Sequence, residues 1–112
     1  MKAFCEMASK VIIPAVRALI ALMLIEKFSM TQVEIARRLG ITQPAISYYM
    51  HSRRGNLAIS ILKNDPEVMK LIEKAADMIY EEKVDDEILC DICRTIRRNK
   101  KLINDICSLL SK

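Results

Sequence analysis

Two glycines and three prolines in 112 residues leave little material for β-turns, which argues against an architecture of strands joined by tight hairpins. Tryptophan is absent and the aromatic fraction is 4%, so any core must be aliphatic, built from Ile, Leu, Val and Met within a hydrophobic fraction of 52%. A single histidine, His51, makes a mixed His/Cys metal site improbable. The chain has no paired His and carboxylate motif, no glycine-rich phosphate loop and no nucleophile elbow, so an enzyme is not expected. It also lacks a long apolar run. Val11–Ile25 is interrupted by Pro14 and Arg17 and is too short to cross a bilayer. No signal peptide is evident, so the expected compartment is the cytoplasm, with the cysteines reduced.

What is present is helical patterning, and its most informative stretch is residues 30–55, MTQVEIARRLGITQPAISYYMHSRRG. Thr31 can cap a helix that runs to about Leu39, with Val33, Ile35, Ala36 and Leu39 as its apolar face. Gly40 is a C-terminal stop that tolerates positive φ. Thr42 caps a second helix, Gln43 to about His51, and Pro44 sits in its first turn, where no amide hydrogen is missed. On this reading Ala45, Ile46 and Tyr49 point inward, and Gln43, Ser47 and Tyr48 point outward. Ala36 permits close approach of the two helices, while Ile41 and Ile46 fill the space between them. Two short helices, a tight turn and polar groups massed at the second helix start make a helix-turn-helix, whose second helix enters the DNA major groove. A plain helical bundle would have no need of that polar cluster.

The segment resembles the DNA-binding domain of the phage-repressor (Cro/cI, xenobiotic-response-element-like) family at Gln32, Ala36, Gly40, Thr42-Gln43 and Ile46. The resemblance implies that Gln32 braces the DNA backbone and that Thr42, Gln43, Ser47 and Tyr48 face the bases. Gln suits bidentate bonding to adenine, and Thr or Ala methyls suit the thymine methyl. Pro44 departs from the polar residue common there, so readout at that position would be apolar or absent. Arg53 and Arg54, expected in a loop after the second helix, would contact phosphates.

Charge agrees with that expectation. The chain carries a net +4 and a pI of about 9.0. Between Thr31 and Gly55 four arginines (Arg37, Arg38, Arg53, Arg54) stand against Glu34 alone, which places most of the positive charge on the unit that would meet phosphate. His51 reads as a solvated helix-end residue rather than a pH-dependent phosphate contact. A second basic group, Arg94, Arg97, Arg98, Lys100 and Lys101, reads as a solvated face that compensates a helix C-terminus.

Around the motif the pattern predicts an all-α chain in two parts, residues 1–63 and residues 64–112. Ala3–Lys10 would be a short helix. Pro14 opens a longer one to about Lys27, whose Ala15, Ala18, Leu19, Leu22 and Ile25 give a wide apolar face. Arg17 is its polar exception, able to reach a phosphate, solvent or an intramolecular partner. Asn56 would cap a short helix to about Lys63. Asp65, Pro66 and Glu67 then restart the chain: cap, first helical position and N-terminal acid. That helix runs to about Glu82. Two more are expected, about Asp86–Arg98 and Lys101–Leu110. Their apolar content (Ile88, Leu89, Ile92, Ile96, Leu102, Ile103, Ile106, Leu109, Leu110) exceeds what two short helices need in a monomer, so a homodimer interface is expected there.

Four cysteines remain: Cys5, Cys90, Cys93 and Cys107. Cys90-Asp91-Ile92-Cys93 is a C-x-x-C whose spacing places both sulfurs on one helix face. Four thiolates would suit tetrahedral zinc or an iron–sulfur cluster. Against that, free cysteine behaves as a small hydrophobe, and Cys90, Cys93 and Cys107 lie near the apolar faces of their helices. Phe4-Cys5-Glu6, Ile13-Pro14-Ala15-Val16-Arg17, the helix-turn-helix and the late C-x-x-C together resemble a group of small archaeal helix-turn-helix regulators. That resemblance implies a ligand set of Cys5, Cys90, Cys93 and Cys107, with a 4Fe–4S cluster ahead of zinc, and a sensing role for redox or iron–sulfur status. The resulting expectation is a dimeric, sequence-specific regulator bound to double-stranded DNA. The competing one is a protein-interaction or antitoxin-like helical module whose cysteines are structural and buried.

Overall fold

The computed structural model describes residues 8–83 and 87–110, with the side chains at 8, 9, 49, 50, 53–55, 109 and 110 outside that description. A π-helical turn, Ala8–Ile12, leads into seven α-helices: α1 (Ile13–Phe28), α2 (Gln32–Leu39), α3 (Gln43–His51), α4 (Arg53–Lys63), α5 (Pro66–Tyr80), α6 (Glu87–Arg98) and α7 (Lys100–Leu110). Among the described residues there is no strand.

Helix α1 is the centre of the molecule. Ala15, Val16, Ala18, Leu19, Ile20, Ala21 and Leu24 are all buried, and these positions go round most of the helix rather than down one stripe. A helix apolar on most sides has to be surrounded. It packs against α5 and α4 most heavily and against α2, α3 and the π-helical turn as well. It ends at Ser29, which takes the left-handed conformation (φ 55) so that its N–H bonds to Ile25 O at 3.0 Å and the N–H of Met30 to Leu24 O at 3.4 Å.

The cap expected at Asp65 is in place. Asp65 Oδ1 accepts from the Val68 N–H at 3.1 Å and Pro66 occupies the first turn of α5. Helix α5 is amphipathic, with Val68, Ile72, Ala75, Ala76 and Ile79 buried. It stops at Tyr80, before Glu82, which adopts positive φ (60). The hydrophobic core is continuous from Val11 to Ile106 and crosses residue 63 without a break.

Two readings of the chain are corrected here. The residues after α3 are not a loop with a helix from Leu57. Ser52 alone interrupts the helices, with extended backbone (ψ 145), and Ser52 O accepts from the Asn56 N–H at 2.9 Å to start α4 at Arg53. Gly55 lies inside that first turn, and Asn56 does not cap a helix of its own. Val33 does not join the apolar face of α2: it is 63% exposed, while Ile35 and Ala36 are buried. In the C-terminal helices Ile88, Ile92, Ile96, Leu102 and Ile106 are buried within the chain. The expected helix from Ala3 falls largely on residues 1–7, outside the described residues.

Candidate nucleic-acid interface

The geometry of α2 and α3 follows from two threonines and a glycine. Thr31 Oγ1 accepts from the Glu34 N–H at 3.2 Å, and Thr42 Oγ1 accepts from the Ala45 N–H at 3.2 Å. Both threonines have extended backbone (ψ 156 and 151), so each both ends one segment and starts a helix. Between them Gly40 sits at φ 70 and its N–H turns back to Arg37 O at 3.3 Å, while the Ile41 N–H bonds to Ala36 O at 3.0 Å. The turn is therefore fixed by hydrogen bonds, and buried Ile35, Ala36 and Ile46 fix the packing of the pair.

The polar start of α3 faces outward. Thr42, Gln43 and Pro44 are exposed, Ser47 is half-buried and Tyr48 is 75% exposed. Gln32, half-buried, opens α2. Among the described residues the side chains of Gln32, Gln43 and Ser47 carry no hydrogen bond, which leaves their donors and acceptors open to a ligand. Ala45, expected inward, is exposed and shares a groove with Tyr48 one turn later. Of the two neighbours Ala45 and Ile46, Ile46 is the one that is buried. Arg53 and Arg54 are placed by their backbones in the first turn of α4, and their side chains lie outside the described residues. The inward reading of Tyr49 falls on a side chain outside the described residues as well.

The basic charge of the unit is less available than its composition suggests. Glu34 lies three and four residues before Arg37 and Arg38, the helical spacing at which side chains meet. Arg37 holds its carboxylate through Nη2 at 2.5 Å and Nε at 3.2 Å, and Arg38 through Nε at 2.9 Å. The two guanidinium groups, Arg37 first, lower the Glu34 pKa to about 2. Arg38 goes further: its Nη1 donates to Ile79 O at 2.9 Å and Tyr80 O at 3.0 Å, and its Nη2 lies 3.4 Å from Glu82. It satisfies the last carbonyls of α5 and ties α2 to it. Arg38 is thus an internal staple.

Near the same end, Lys27 pairs with Asp77 at 2.8 Å and Glu73 at 3.3 Å, and the rings of Phe28 and Tyr80 stack at 3.8 Å. Lys27 lies 5.4 Å from the Phe28 ring centroid. In the second basic group, Arg94 pairs with Asp91 at 2.9 Å.

The cysteines are not core residues as a set. Cys90 and Cys107 are exposed and only Cys93 is half-buried, its thiol pushed up by burial and by the neighbouring Cys90. Among the described residues no three Cys, His, Asp or Glu side chains come together as a metal-holding group. Cys5 lies outside the described residues. Cys90, Cys93 and Cys107 do not by themselves form such a group.

Two residues were not singled out as site residues by sequence reasoning. Ala45 carried a signal, its three-residue spacing from exposed Tyr48. Arg17 carried a weaker one, as the polar exception on α1. No family model, curated protein or solved structure matches the chain. No helix of the described residues is long and apolar enough to cross a membrane.

Proposed function

We propose that this protein is a sequence-specific regulator of transcription that binds double-stranded DNA as a homodimer, with the first turn of α3 in the major groove. The observation that carries the reading is the outward surface of Thr42, Gln43, Pro44, Ala45 and Tyr48, set on a turn held rigidly by the Thr31 and Thr42 caps and by Gly40. Unbonded amides at Gln32 and Gln43 beside apolar Pro44 and Ala45 suit the donor, acceptor and methyl pattern of base edges in that groove. Arg53 and Arg54, one helix start later, would meet phosphate, and a pair of such units on a two-fold axis would read two half-sites.

The test is selection of a duplex from a random library, followed by affinity against potassium chloride concentration. The reading expects one enriched motif with two-fold symmetry and an affinity that falls linearly with salt on logarithmic axes. A flat salt dependence with no enriched motif overturns it and favours a protein-interaction module. The cysteine-buried form of that alternative has lost support, since Cys90 and Cys107 are exposed.

A further inference from the structure

Arg17 stands on the wall of a groove that α1 shares with the candidate interface. Pro14, Arg17 and Ala18 follow at three- and four-residue spacing on one face of α1 and meet Ile41, Ala45 and Tyr48 across an open groove of about 260 Å³. Its walls are otherwise apolar but for the Tyr48 hydroxyl. Arg17 is half-buried and, among the described residues, has no ion pair or hydrogen bond, whereas Arg37, Arg38 and Arg94 each hold a carboxylate.

A guanidinium drawn partly out of water against apolar walls, with no counter-charge, favours an anion from outside. The groove is open and falls below the roughly 300–1,000 Å³ of cavities that enclose small molecules. The anion is therefore one presented along the surface rather than one enclosed. The opposite wall is made by Ala45 and Tyr48, the exposed side of the helix that the proposed function puts in the major groove.

We propose that Arg17 holds a backbone phosphate of the DNA strand bordering that groove, with the apolar walls against the adjoining deoxyribose. This inference rests on the DNA-binding reading. It makes α1 part of the DNA surface rather than only its support, and supplies a cation that Arg38 does not.

The experiment measures the affinity of wild type, Arg17→Gln and Arg17→Lys for the duplex selected by the wild type and for single-base variants of it, across a salt series. Expected for Arg17→Gln is a roughly tenfold loss, the worth of one charged hydrogen bond, alike on every sequence. The salt slope should fall by about one. Arg17→Lys should keep the slope, because the charge remains. Thermal melts of all three confirm folding. If Arg17→Gln keeps wild-type affinity and slope, the inference is wrong and the DNA-binding reading stands. A loss confined to one base pair also overturns it, as a base contact. If the wild type itself shows no salt-dependent binding, the functional reading fails first.

Discussion

Asp65 and Asn99 are joined cap to cap: Asn99 Nδ2 donates to Asp65 Oδ2 at 2.8 Å. At the same time Asp65 Oδ1 accepts from the Val68 N–H and Asn99 Oδ1 accepts from the Leu102 N–H at 3.2 Å. One hydrogen bond thus connects the starts of α5 and α7, which lie 34 residues apart in sequence. Asp65→Ala removes a cap and leaves Asn99 without its partner, so it should cost about 1–2 kcal/mol in urea unfolding. Asn99→Ala should cost less, and the double variant less than the sum, with a coupling of at least about 0.5 kcal/mol. Strict additivity would show the bond to be without weight.

Gln43 and Arg38 separate reading from support. Gln43→Ala should lose about 1–3 kcal/mol of discrimination at one base position and leave the melting temperature nearly unchanged. Arg38→Ala should do the reverse. It uncaps the end of α5 at Ile79 and Tyr80, so the melting temperature falls while the salt slope of DNA binding, read on the folded variant, stays at the wild-type value. A drop of one in that slope would place Arg38 on phosphate instead.

Glu34 gives a pH signature. Its carboxyl is held near pKa 2 in the folded chain by Arg37 and Arg38, below the ordinary value of 4.5. A depressed acid contributes stability above its unfolded pKa and loses it as pH falls toward the folded one. Thermal stability of the wild type should therefore decline between about pH 5 and 2 more than that of Glu34→Gln, in which this contribution is gone. Parallel declines would show that the triad adds nothing measurable at this exposed site.

Cysteine ligation remains a separate proposal, because it needs Cys5 together with thiols that do not converge here. Anaerobic purification with iron, sulfide and zinc analysis decides it. Iron and sulfide with absorbance near about 400 nm would mark a cluster, zinc alone a structural site. If Cys90→Ser leaves metal content and DNA affinity at wild-type values, the proposal fails.

Local signals were the legible ones. Thr31, Thr42 and Asp65 each announced a helix start, because a capping oxygen acts on an amide three residues away and needs no tertiary partner. Gly40 announced the turn for the same reason. Arg38 was misread as DNA-facing charge because its partners, Ile79 and Tyr80, are 41 and 42 residues distant. Ala45 and Ile46 are adjacent small and large apolar residues, and periodicity over nine residues could not say which of them would be left outside. That α1 packs under α2 and α3 was legible, but its heavier packing against α5 was not, since nearly every face of α1 is apolar.

The near-complete enclosure of α1 bears on transplantation. A designer wishing to graft the proposed DNA-reading unit elsewhere would cut after α4, at residue 63. That cut takes away α5, one of the two helices that cover α1 most, and with it the carbonyls that hold Arg38. The two halves share one core, so under the proposed function specificity is better changed by rewriting Gln43 to Tyr48 in place than by moving the helices to a new host.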